Sequence, residues 1–112
     1  MRNISDNNTW ILKRGGLVIK KKAAVGVVGL NSWERLVYCL WVSDYMMRNA
    51  GDFANADDMY PAFQDDAKQF ANELSLPVTS KAFSLSRLRL KLEYFDHFEA
   101  ICEELKQAEP AE

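Results

Sequence analysis

The chain has 112 residues, 48% of them hydrophobic and 27% charged, which describes one globular domain rather than two and excludes a disordered tail. A chain of this length buries roughly two thirds of its unfolded surface, so it can hold a core without metal or disulfide. The formal charge of −2 argues against a wholesale nucleic-acid binder and against an extreme acidic imitation of nucleic acid. It also hides a split. Residues 1–25 carry six basic side chains against Asp6 alone, and residues 26–112 carry eight basic and fifteen acidic ones.

The first segment, Thr9 to Val25, fits two patterns. Trp10, Ile11, Arg14, Val18, Lys21 and Val25 share a helical face, with Asn8 or Thr9 as N-cap. Gly15-Gly16 sits in the middle and costs a helix up to ~1 kcal/mol per glycine. The rival is a hairpin turning at Gly15-Gly16. Helix is preferred, because nothing else in the chain reads as a sheet partner. Gly26 and Gly29 end the segment.

The second segment is the clearest. Asn31 caps it and Glu34, three residues on, completes a capping box. Trp33, Leu36, Val37, Leu40, Trp41, Asp44 and Met47 follow at helical spacing. The stretch from Val37 to Val42 is apolar all round, which predicts a central helix enclosed by others. Gly51 is expected just past its end in the left-handed conformation. After a short loop, Asp57 or Asp58 is expected to cap a third helix with Pro61 in its first turn. Tyr60, Phe63, Ala67, Phe70, Ala71 and Leu74 give that helix one apolar stripe, and Ser75-Leu76-Pro77 breaks it. Thr79 to Phe83 reads as a short helix capped by Thr79.

The last segment needs arbitration. Leu88, Leu90, Leu92 and Tyr94 alternate at strand period, whereas Leu85, Leu88, Leu92, Phe95, Phe98, Cys102 and Leu105 fit helical period. Length decides for helix, since strands rarely run so far. The expectation is an all-α single domain over 1–112, a bundle of four or five helices, with 1–8 and 106–112 flexible. Met1 to Asn8 has no apolar core of a secretory signal. The longest apolar run, Leu36 to Val42, falls far short of the ~20 residues a bilayer needs. The cytoplasm is therefore the expected location. Cys39 and Cys102 are expected as buried free thiols there, with a disulfide as the alternative.

The most informative stretch for function is Asp44 to Phe53. A carboxylate at Asp44 lies on an otherwise apolar helix face and is costly unless paired. Arg48 stands four residues on and can reach it. Asn49 and Asp52 flank the turn. Read structurally, Asp44 and Arg48 form a helix-end ion pair while Asn49 and Asp52 fix the turn. Read functionally, the group is a recognition pocket at the helix end. His97 is the only histidine, with Glu93 four residues before it. A metal-dependent or small-ligand enzyme would draw on Asp44, Asp52 and His97. Catalytic zinc, however, normally takes three protein ligands, and no Glu-x-x-His pair of the di-iron type is present. Asp57-Asp58 and Asp65-Asp66 lack the spaced calcium loop with its central glycine. No nucleophile sits in a Gly-x-Ser-x-Gly context, and no phosphate-cradling glycine loop occurs. No catalytic set and no cofactor are expected. Lys20 to Lys22 and the Arg87 to Lys91 group could form a basic patch, but adjacent lysines point around a helix rather than one way.

From Asp44 to Asn55 the sequence resembles a family of small bacterial helical domains called DNA-mimic-protein-like. The family pattern is Asp, Glu-Val, Asn-Gly-Gly-Phe and a later Asn. Asp44, Asn49, Gly51, Phe53 and Asn55 match it, while Met46-Met47 stands for Glu-Val, Ala50 for the first Gly, and Asp52 as an insertion. Ala67, Ala71 and Leu74 resemble the family's next helix, and the likeness spans residues 31–85. It implies an all-α fold and binding to a DNA-binding protein. Dense negative charge is what imitation of a phosphate backbone requires, and the body of this chain carries a milder excess. The combined expectation is a non-catalytic helical domain that binds another protein, with a homodimer possible and direct nucleic-acid or membrane binding not expected. Its binding residues are expected to be Asp44, Arg48, Asn49, Asp52, Phe53 and Asn55.

Overall fold

The structure, a computed structural model, describes residues 6–54 and 56–110. In chain order these form α1 (Asp6–Val25), a 3₁₀ turn (Val27–Gly29), α2 (Ser32–Ala50), a single turn α3 (Ala56–Met59), α4 (Phe63–Glu73), α5 (Pro77–Phe83) and α6 (Arg87–Gln107). No strand occurs among the described residues. The all-α architecture read from the hydrophobic period is the one observed. No described helix is long and apolar enough to cross a membrane.

α1 is one continuous helix through Gly15-Gly16, and the hairpin alternative falls away. The reason is packing. A Cβ on Gly15 would stand 2.8 Å from Cγ of Trp41 and closer still to its Cδ1, whereas one on Gly16 would meet nothing. Gly15 therefore lets α1 cross α2 at close range, and the helix tolerates the conformational cost of a glycine for that contact. Asn8 and Thr9 do not cap α1 as the pattern suggested, because the helix already includes Asp6 and Asn7. Part of the stretch expected to be flexible is thus ordered, since Asp6 to Asn8 are helical and Asn7 donates to Glu99 Oε1 at 2.5 Å. Gly26, at φ +76°, closes α1 with an N–H bonded to the Lys22 carbonyl at 2.8 Å.

α2 is the central element. Asn31 Oδ1 accepts from the Glu34 N–H at 2.8 Å and Glu34 Oε1 accepts from the Asn31 N–H at 2.9 Å, so the capping box is complete. Gly51 ends the helix at φ +73° with its N–H bonded to the Met47 carbonyl. Between these ends Leu36, Val37, Leu40 and Val42 are fully buried, and α1, α4 and α6 pack around them. The indole N–H of Trp33 donates to the Leu105 carbonyl at 2.9 Å, fastening the end of α6 to the start of α2.

The other boundaries shift from expectation in three places. Asp58 lies inside α3 rather than capping α4, and Pro61 precedes α4 instead of entering its first turn. Ser75-Leu76-Pro77 does break the chain after α4, which ends at Glu73, and Pro77 then opens α5 rather than extending the break, because a missing N–H costs nothing in the first turn. Thr79 then falls inside α5, where its N–H and hydroxyl both donate to Glu104 Oε1 at 2.7 Å. Cys39 and Cys102 are buried free thiols. Burial pushes Cys39 up to about 12 and Cys102 higher still, so neither is a thiolate near neutrality.

Candidate functional site

The pitch of α2 places Asp44 one turn beyond Leu40 on the inward face, where it is 2% exposed. Both its oxygens accept from Arg48 Nε, at 3.0 and 2.9 Å, and Oδ1 also accepts from the Tyr94 hydroxyl at 2.9 Å. The Arg48 guanidinium lies 5.0 Å from the ring centroids of both Phe95 and Phe98. Burial pushes the Asp44 carboxyl up, against the pull of Arg48 and Tyr94. Burial and the Asp44 charge hold the Tyr94 hydroxyl well above its ordinary range. The result is a buried link that ties the end of α2 to the middle of α6.

Asn49 and Asp52 point elsewhere. Asn49 is exposed and donates to the Tyr45 carbonyl of its own helix at 2.7 Å. Asp52 Oδ1 accepts from the Ala54 N–H at 3.0 Å, a side-chain turn that shapes the loop. Phe53 is 2% exposed and packs with its ring centroid 5.3 Å from Phe63 and 6.1 Å from Tyr94, so it is core. Asn55 lies outside the described residues. The structure brings Asp44, Arg48 and Phe53 together through Tyr94, while Asn49 and Asp52 serve local backbone. His97 pairs with Glu93 at 3.2 Å on the outside of α6. Bonds from Arg89 and His97 draw the Glu93 carboxyl down, against a smaller effect of burial. Among the described residues, no group of three His, Cys, Asp or Glu side chains is placed to hold a metal ion.

Part of the charge split is answered inside the molecule. Lys21 Nζ bonds both oxygens of Glu34 at 3.0 and 2.9 Å, and Arg14 Nε bonds Glu109 at 3.1 Å while stacking over Trp33. In the second basic stretch, Arg89 bonds Glu93, and Arg87 bonds Gln64 and stacks over Phe63. Much of the cationic character of α1 and α6 is therefore spent on the protein's own carboxylates and rings.

The feature that sequence reasoning missed is on α6. Leu88, Leu92 and Phe95 are 63%, 70% and 48% exposed. Their spacing of four and three residues puts them on one face of the helix. Beside them, a groove of about 480 Å³ runs between Asp52–Ala54 and the first turn of α6, with Leu88 and Lys91 on its wall. The signal was present in the alternation Leu88, Leu90, Leu92, Tyr94. On a helix that pattern splits into two apolar faces: Leu90 and Tyr94 are fully buried, and Leu88 and Leu92 face out. An apolar excess over what one core-facing stripe needs marks a second surface.

Comparison with family models, curated proteins and solved structures finds no match for this chain.

Proposed function

We propose that the chain is a non-catalytic interaction domain whose docking surface is the outer face of α6, and that its first partner is a second copy of itself. The observation that carries this reading is the pattern of α6. Leu88 and Phe95 are seven residues apart on the exposed face, and Arg89 and Asp96, also seven apart, form a parallel row beside them. Antiparallel pairing of two α6 helices about a two-fold axis near Leu92 brings Leu88 to within one residue's rise of Phe95 of the other copy. The same operation brings Arg89 equally close along the axis to Asp96, twice over. The predicted Asp44–Arg48 group then contributes indirectly: it holds the Tyr94 side chain of α6, and its guanidinium lies over the Phe95 ring.

Sedimentation equilibrium of the full chain tests this. The wild type should show a concentration-dependent monomer–dimer equilibrium. Leu92→Glu should remain monomeric with an unchanged melting temperature, because Leu92 is 70% exposed in the monomer. Arg89→Asp and Asp96→Arg should each be monomeric alone and form a mixed dimer together, since each repels its own copy and attracts the other. A wild type that stays monomeric at ~1 mM, where an association worth about 4 kcal/mol would be half complete, overturns the reading.

A further inference from the structure

A second surface, where the end of α1 meets α2, carries two cations that form no ion pair with a carboxylate among the described residues. The Lys22 ammonium lies over the Tyr38 ring, 5.3 Å from its centroid, and the Arg35 guanidinium lies 5.7 Å from the Phe70 centroid. Among the described residues, no carboxylate forms an ion pair with either. Arg35 Nε is buried without a hydrogen-bond partner. A buried donor left without an acceptor is destabilising, the more so on a charged group. Every other buried or half-buried cation described above has an acceptor, so this pair is the exception.

Both cations line one cleft of about 320 Å³, where the end of α1, the 3₁₀ turn, α2 and the α3–α4 connection meet. Its other surfaces are aromatic and apolar. Tyr38 and Tyr60 stack at 5.4 Å with an interplanar angle of 25°, and Val27 and Met59 are half exposed at the rim. Asp66 also borders the cleft, but it is engaged: its Oδ2 accepts the Tyr60 hydroxyl proton at 2.5 Å, and the Cys39 thiol donates to the same hydroxyl oxygen at 3.7 Å. Burial pushes both phenols up, so neither tyrosine adds a negative charge. One neutral aromatic wall, two unanswered cations and one occupied carboxylate define the chemistry that fits.

We infer that this cleft is a binding site for a small aromatic carboxylate, its anionic group between Lys22 and Arg35 and its ring against Tyr38 and Met59. The carboxylate supplies the counter-charge that Lys22 and Arg35 do not find among the described residues, and Asp66 directs the anion to the Lys22–Arg35 side by repulsion. The volume lies at the lower end of the range for small-molecule sites, which favours a single ring system over a nucleotide. The site shares no residue with the outer face of α6 and stands independently of it.

The test is a titration of the isotope-labelled full chain, followed by backbone amide shifts. The probes are indole-3-acetate, its uncharged analogue indole-3-acetamide, and inorganic phosphate. Indole-3-acetate should shift Lys22, Val27, Tyr38 and Met59 saturably. The amide should bind at least about tenfold more weakly, which corresponds to the loss of about 1.4 kcal/mol. Phosphate, lacking a ring, should produce no saturable shift at these residues. Arg35→Met keeps the aliphatic packing on Phe70 and should abolish binding, and Lys22→Met at the helix surface should weaken it. Equal binding of acid and amide, equal binding of phosphate, unaltered binding by both variants, or no shift at these residues up to the solubility of the probe each overturns the inference. The two variants are folded when their remaining amide spectra overlay the wild type, so loss of binding is distinguishable from loss of structure.

Discussion

α2 carries one buried carboxylate near each end, and the two have nearly matched partners. Glu34 accepts two bonds from the Lys21 ammonium and one from the Asn31 N–H. Asp44 accepts two from Arg48 and one from the Tyr94 hydroxyl. In both cases the cation reaches in from solvent, with Lys21 46% and Arg48 39% exposed. The carboxylates themselves differ in depth, at 11% and 3% exposure of the side chain. For Glu34, burial pushes the pKa up, but the Asn31 N–H and the charges of Lys21 and Arg14 outweigh it, and the group ends below its ordinary value. For Asp44, burial wins over the same kinds of bonds, and the group ends above. The donors alone do not decide the outcome. Each cation pulls its carboxylate down, and a modest difference in depth decides whether that pull or the cost of burial sets the sign of the net shift.

Removing each carboxylate should separate the two ends most sharply. Asp44→Ala leaves the fully buried Tyr94 hydroxyl without an acceptor and opens a void in the link to α6, and should cost about 3 kcal/mol. Glu34→Ala removes half of the capping box and the Lys21 bond at a site closer to water, and should cost about 1 kcal/mol. Urea unfolding of both variants measures the difference. Equal losses would mean that depth is not what distinguishes them.

The Lys21–Glu34 bond exists because α1 approaches α2 closely, and Gly15 sets that approach. Gly15→Ala drives a methyl group into the Trp41 ring and should cost about 2 kcal/mol, within the range for overpacking. Gly16→Ala, one residue away with open space around its Cβ, should gain up to ~1 kcal/mol by helix propensity alone. Thermal melts of the pair decide the matter. Two stabilised variants would show that the α1–α2 seam can part without loss.

The ends of α2 were legible in the sequence to different degrees, for physical reasons. Asn31, Glu34 and Gly51 act within a turn of where they stand, so spacing alone located the capping box and the left-handed terminus. The Asp44–Arg48 pair was also readable, being four residues apart on one helix. Tyr94 was not, because its bond to Asp44 spans fifty residues of chain. Phe53 looked like a contact residue because it follows a polar turn, yet the fold turns it into the core beside Phe63. Gly15 kept a hairpin turn open as the rival to a helix, because a glycine that makes room for a tryptophan on another helix carries no local mark of doing so. The exposed row of α6 is visible as alternation, but alternation fits a strand as well as two faces of one helix, and only the packing of Leu90 and Tyr94 into the core separates the two.

The smallest effect, and the one that bears most directly on depth, is the response to pH. Glu34 has a folded-state value below the ordinary 4.5. In the window between the two values the unfolded chain binds more protons, so stability rises with pH there and is lost as pH falls through the folded value. Asp44 has a folded-state value above the ordinary 3.8. Here the folded chain binds more protons, so its contribution is fully present below that value and is lost as pH rises through the folded one. Stability measured by urea unfolding at intervals between about pH 3 and pH 7 should therefore separate the two isosteric variants. The gap between wild type and Glu34→Gln should widen in favour of the wild type as pH rises through the acid range. The gap between wild type and Asp44→Asn should move the opposite way. Slopes of the same sign would mean that both carboxylates keep the same access to water, and that Arg48 and Tyr94 compensate Asp44 as fully as Lys21 and Asn31 compensate Glu34.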